Sequence, residues 1–230
     1  GYHGWHDWYL AANLKSKSKL SYHLLPGITP KGVPKYLKDT IIPFRFNSIE
    51  DLKNIVEKNA KHCAAIVIEP ARETLPQKNF LKKLRSIANK NNTVLIFDEI
   101  TSGWRMAVGG IHKLLGIRPD LVIYGKTIAN GIPMGVIIGK KKIMDSSLNT
   151  FISSAFWTER LGPACALEFI KKFKKNKVHK KLTENGKKIK NIWKKNAKKN
   201  HLDIEINGVD ALASFKIKEK NWPVIITYFI

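Results

Sequence analysis

Apolar positions fall into two rhythms along this 230-residue chain. Short unbroken apolar runs read as buried strands: Cys63-Ala64-Ala65-Ile66-Val67-Ile68, Val94-Leu95-Ile96-Phe97, Leu121-Val122-Ile123-Tyr124, and a last one over 134–138. A shorter strand is expected over 40–44. Between these runs the apolar residues recur at helical spacing, over 48–58, over 79–89 (Phe80, Leu81, Leu84, Ile87, Ala88) and briefly over 111–115. Ser48, followed by Glu50 and Asp51, is a plausible N-cap with acids in the first turn. Strands apolar on both faces, alternating with helices, predict an α/β fold whose mainly parallel sheet is covered on both sides.

Three of these strands run into a polar residue: Glu69, Asp98 and Lys126. In an open α/β sheet the carboxyl edge of neighbouring parallel strands is where ligands bind. A lysine at the end of a buried strand loses hydration, which lowers its pKa and makes the neutral amine a usable nucleophile. Each residue also has an ordinary reading, since a lysine after a strand is commonly a solvated loop residue and an acid there a turn or helix cap. It is the convergence of the three that points to a site.

The rhythm changes after residue 162. Residues 163–199 are helical and lysine-rich, with Leu167, Ile170, Phe173, Leu182, Ile189, Ile192 and Trp193 as the apolar stripe and the charges as its solvated face. Residues 202–206 and 211–217, joined through Asn207-Gly208, read as a β-hairpin. This predicts a large domain over 1–165, then a connecting helix and an incomplete small domain over 166–230. Residues 15–40 read as a long surface excursion. The chain opens on Gly1-Tyr2-His3-Gly4 and stops within the apolar run 224–230, so both ends look cut. His3, His6 and Asp7 lack a further spaced ligand, and no metal is expected.

Composition narrows the function classes. Hydrophobic content of 43% and aromatic content of 10% are those of a globular protein. Lys+Arg 41 against Asp+Glu 18 gives a net charge of +23, which would attract polyanions. The excess is lysine spread along helices, however, while arginine, the planar bidentate reader of phosphate and guanine, is scarce. Specific nucleic-acid binding is therefore not expected. Cys63 and Cys165 suggest neither a disulfide framework nor a metal site, in keeping with a cytoplasmic location. No apolar run approaches membrane-spanning length.

The segments YHGWHDWY, IVIEP, LIFDEITSGWR, GKTIANGIPMG and FWTERLGPACALE, in that order and spacing, resemble the class III pyridoxal-phosphate aminotransferases, closest to the glutamate-1-semialdehyde 2,1-aminomutase branch. The resemblance implies fold type I of the PLP-dependent transferases, the aspartate aminotransferase-like α/β fold with a small C-terminal α+β domain. It implies pyridoxal 5′-phosphate as cofactor, a small amino or oxo substrate, and a homodimer with shared active sites. By resemblance Lys126 forms the Schiff base and shuttles protons, and Asp98 pairs with the pyridine nitrogen. Tyr2, with His3 beside it, would stack on the cofactor ring, Glu69 would lie close to it, and Thr158 would reach its phosphate across the dimer interface. Thr101 stands where some members carry a glutamine that bonds the ring hydroxyl. The family's Gly-Ser/Thr phosphate loop would lie before residue 1. Two alternatives are a basic polyanion-binding module on an aminotransferase fold and a non-functional enzyme fragment.

Overall fold

The computed structural model describes residues 2–4, 6–15, 28–59 and 62–218. Packing divides the chain into two units, one over residues 1–68 and 76–96 and the other over 69–75 and 97–230. The domain boundary expected at 165/166 falls inside a helix of the second unit.

In the first unit, helix α1 (Asp7–Leu10) leads into a short 3-10 turn (Ala11–Asn13). Tyr9 and Ala12 are buried there, with Tyr2, Leu10 and Ile41 packed on them. No strand forms over 40–44, where Pro43 has no N–H to give to a ladder. Helix α2 (Ile49–Asn59) starts where the acids predict, with the Asp51 amide donating to Ser48 Oγ at 3.2 Å. The Asp51 carboxylate in turn grips the Arg45 guanidinium, at 2.7 Å from Nε and 2.6 Å from Nη2. Strand β1 (Ala65–Ile68) is followed by helix α3 (Phe80–Lys90), which buries Phe80, Leu81, Leu84 and Ala88, the expected face. Strand β2 (Val94–Asp98) begins in this unit, its Val94 amide donating to Ala64 O at 3.0 Å.

In the second unit, the end of β2 is tied to strand β3 (Leu121–Tyr124) by the Glu99 amide donating to Ile123 O at 2.9 Å. Helix α4 (His112–Leu115) lies in the connection between them. Strand β4 (Val136–Gly139) runs antiparallel to β3, pairing Leu121 with Gly139 and Tyr124 with Val136. The strand order is β1-β2-β3-β4, a mixed and mostly parallel sheet with helices on its faces. Helix α5 (Lys141–Met144) follows β4. The long helical stretch divides at Asn176-Lys177 into α6 (Leu161–Lys175) and α7 (Val178–Lys199), because Lys177 adopts a left-handed φ of 50° that an α-helix cannot continue through. Ala166, Phe169 and Ile170 of α6 pack with Val122, Tyr124 and Trp104. Phe173 is buried, whereas Leu167, Ile189 and Ile192 of the expected apolar stripe are exposed. Strands β5 (Ile204–Asn207) and β6 (Ser214–Ile217) form the expected antiparallel pair. Their connection holds a 3-10 turn (Asp210–Leu212), so it is longer than the two-residue turn the sequence suggested.

Among the described residues no helix is long and apolar enough to cross a membrane.

Candidate functional site

Three turns of the second unit hold the polar residues singled out from the sequence, and each starts where an apolar run stops. The first follows β2. Asp98 is 5% exposed, and its Oδ1 accepts the Ile100 amide at 3.1 Å, an Asx turn that swings the chain out of the strand. The turn tightens at Gly103, whose amide donates to Glu99 O at 2.7 Å. A Cβ on Gly103 would stand 2.6 Å from both Glu99 O and the Tyr124 ring, so only glycine lets this turn lie on the end of β3.

The second turn follows β3. Lys126 opens a 3-10 turn (Lys126–Ile128) with a φ of 49°, a conformation that side-chain-bearing residues avoid and that costs on the order of 1–3 kcal/mol. The next two residues hold it in place: Thr127 Oγ1 donates to Gly103 O at 3.1 Å, and Ile128 is buried. The Lys126 Nζ then donates to Thr101 Oγ1 at 2.7 Å, joining the two turns side chain to side chain.

The third turn follows β1. Glu69 is 8% exposed and accepts Arg72 Nη1 at 3.3 Å. The Val209 and Gly208 amides donate to the carbonyls of Arg72 and Glu73 at 3.3 and 2.7 Å, fastening this segment to the chain just after β5.

The Lys126 pKa lies below the ordinary lysine value of 10.5. Partial dehydration is the main cause, followed by repulsion from Arg72; Glu69 and Asp98 pull the other way, and Arg105 adds a further push downward. The residue itself is exposed, so solvent still reaches the amine and the direction of the shift is what matters.

Of the residues expected from the sequence, the structure thus joins Lys126 and Thr101 directly and sets Glu69 and Asp98 close enough to act on the same amine. Tyr2 and His3 belong to the other packing unit, in an aromatic cluster. Their rings lie edge-on to Tyr9, both at 6.1 Å between centroids. Thr158 is exposed between Trp157 and Glu159, and no described residue bonds its hydroxyl.

Three charged residues were not anticipated. Glu99 is fully buried and accepts the Ile111 amide at 2.6 Å, the His112 amide at 3.1 Å and His112 Nδ1 at 2.6 Å, which fixes the loop before α4. Arg72 and Arg105 both face the Lys126 amine electrostatically. The available signal was their position, since two arginines of an arginine-poor chain fall inside the quoted motif stretches or next to them.

A sequence model described as "Aminotransferase class-III" matches residues 1–226. The chain is 33% identical over 196 residues to a 3-aminobutyryl-CoA aminotransferase of Cloacimonas acidaminovorans, covering 82% of this chain and 43% of that one. It is 29% identical over 224 residues to a glutamate-1-semialdehyde 2,1-aminomutase of Methanococcoides burtonii, covering 94% and 51%. Its fold superposes on an omega-transaminase from Sphaerobacter thermophilus with a TM-score of 0.78 and 25% identity, over 94% of this chain and 51% of that one. The chain therefore spans about half the length of the relatives it matches. It belongs to the class-III aminotransferase family, whose cofactor is pyridoxal 5′-phosphate.

Proposed function

We propose that this chain carries the reacting half of a PLP-dependent amino-group transfer enzyme, with Lys126 as the amine that holds the cofactor. The observation that supports this most is the Lys126 amine itself. It is strained into a left-handed backbone, held by Thr101 Oγ1 at 2.7 Å, and lowered in pKa beside two carboxylates.

The residues present suit that cofactor. A primary amine of lowered pKa suits its aldehyde, and a carboxylate 5% exposed at the end of the adjoining strand suits its ring nitrogen. Bound here, pyridoxal phosphate supplies an aldehyde that condenses with primary amines and a ring that draws electrons from the carbon bearing the amine. Lys126 would hold the cofactor through its neutral amine and, once freed, would move a proton at the substrate carbon as a general base. Asp98 would hold a proton on the ring nitrogen, because a dry carboxylate stabilises a cation next to it far more than water would. Thr101 accepts a hydrogen bond from Lys126 and so aims the amine. Glu69 balances Arg72 at the edge of the site. Tyr2 and His3 are proposed to line the ring and Thr158 to serve the phosphate of a second copy in a homodimer; these roles rest on family resemblance.

The finer reading is an aminomutase acting on glutamate 1-semialdehyde, the activity named for one relative. The full-length protein should then form 5-aminolevulinate from glutamate 1-semialdehyde with no added amine donor. Formation only when a separate donor is supplied would make it a transaminase. A holoprotein whose absorbance no amine perturbs would end the amino-transfer reading.

A further inference from the structure

Lysines on helix α7 fall in adjacent pairs two helical turns apart: Lys180-Lys181, Lys187-Lys188 and Lys194-Lys195. At about 3.6 residues per turn, an interval of seven returns each pair to nearly the same side of the helix. All of these side chains are exposed, and a further exposed pair, Lys198-Lys199, closes the helix on that side. The result is a band of positive charge about 28 Å long from Lys180 to Lys199, at roughly 1.5 Å per residue. Glu184 is the one acid within α7.

The other side of the helix shows what a lysine of α7 does when it has a partner. Lys190 turns inward, where its Nζ donates to Gly208 O at 2.6 Å and to Asp210 Oδ1 at 3.2 Å. Among the described residues no carboxylate lies within ion-pair distance of the outward pairs. Lys194 with Lys198, and Lys195 with Lys199, are also like charges one turn apart, which costs helix stability until an anion lies across them.

The chemistry of the band selects among polyanions. A membrane-surface helix needs a free apolar face to enter the lipid. That face of α7 is already used, with Gly186 and Ala197 buried and Trp193 against the Phe215 ring at 4.9 Å. Of its apolar residues only Ile189 and Ile192 are exposed. A single nucleic-acid strand is held by stacking its bases on aromatic rings, and Trp193, the one such ring in the helix besides His179, is on the packed side. Arginine, the usual reader of base edges, is absent from α7. What remains is a straight line of point charges, the form that matches the phosphate backbone of a duplex.

We propose that the outward face of α7 binds duplex nucleic acid through its phosphates, without reading its sequence. Its lysines belong to none of the three turns around Lys126, so the proposal stands apart from the amino-transfer reading.

The test titrates the full-length protein, free of pyridoxal phosphate, into two short labelled DNA duplexes of unrelated sequence and follows fluorescence anisotropy. Both should bind with micromolar affinity at about 50 mM salt and weaken about a hundredfold by about 200 mM, the slope of roughly four neutralised phosphates. The combined variant Lys187→Gln, Lys188→Gln, Lys194→Gln and Lys195→Gln should weaken binding about thirtyfold or more at the lower salt, while circular dichroism stays unchanged. A control removes the same charge from exposed lysines of α2, α3 and α5, as Lys53→Gln, Lys82→Gln, Lys83→Gln and Lys142→Gln, and should lose no more than about threefold. Equal losses in the two variants would make the attraction a matter of net charge and overturn the proposal. So would a preference of about tenfold or more between the two sequences. Glu184→Gln, which leaves every lysine in place, should tighten binding about threefold; unchanged or weaker binding would count against the band. Sedimentation with vesicles of phosphatidylcholine and phosphatidylserine at the same salt decides the source of the anion. Retention on vesicles that excess duplex does not displace would assign the face to a membrane and overturn the proposal.

Discussion

Lys126 carries a charge its surroundings resist, and this has a consequence for stability. A lysine whose folded pKa lies below 10.5 subtracts stability while it is charged, and the subtraction fades as pH rises from the lowered value through 10.5. The cofactor-free Lys126→Met variant should therefore be more stable than the parent at pH 7, with an advantage that shrinks as pH approaches 10.5. Denaturant unfolding across that range checks it, and an advantage independent of pH would contradict the shift. Asp98→Asn should fold and bind the cofactor yet lose about a hundredfold or more in turnover, the scale of a misplaced proton-transfer group. Steady-state kinetics within a few-fold of the parent would remove the role given to Asp98. Lys126, Asp98 and Glu69 were legible in the sequence because each ends an apolar run. Arg72 and Arg105 were not, because no residue pattern states which loop side chains face one amine. The turn fixed by Asp98 and Gly103 carries Arg105 there, and the segment fastened by the Gly208 and Val209 amides carries Arg72.

At the scale of elements, the apolar runs identified β1, β2, β3, α2 and α3 because each run has one burial pattern and one stop. The strand expected over 40–44 failed for a local reason, the proline within it. The break between α6 and α7 rests on the left-handed Lys177, a conformation that a lysine in a lysine-rich helix does not announce. The direction of β4 was open as well, since a short apolar run reads alike in parallel and antiparallel pairing. Two substitutions test how the elements hold the site. Leu95 is fully buried in β2, so Leu95→Ala should cost about 2–5 kcal/mol in denaturant unfolding. Gly103→Ala forces a methyl against Glu99 O and Tyr124 and should cost about 1–3 kcal/mol. It should also slow cofactor capture, because Thr127 and Thr101 are positioned through the same turn. Capture at the parent rate would show that the Lys126 turn does not depend on Gly103.

At the scale of the molecule, the stretch on either side of Thr158 leaves large apolar side chains in solvent, with Phe151 96% and Trp157 64% exposed. Apolar surface gathered in this way marks an interaction face. A second copy of the full-length protein is the occupant that the homodimer reading supplies. Replacing Phe151 and Trp157 with serine should move the protein toward monomer in sedimentation velocity; an unchanged mass would place the interface elsewhere. The lysines of α6 and α7 keep their charges in solvent, as a solvated helix face does, except Lys190, whose Nζ donates to Gly208 O at 2.6 Å and to Asp210 Oδ1 at 3.2 Å. The proposed chemistry depends on one amine. Borohydride reduction of the full-length protein with pyridoxal phosphate, followed by peptide mass spectrometry, should place the cofactor mass on the peptide containing Lys126, and Lys126→Ala should abolish both that adduct and the near-visible absorbance. A cofactor fixed to another lysine, or absorbance that survives in Lys126→Ala, would contradict it.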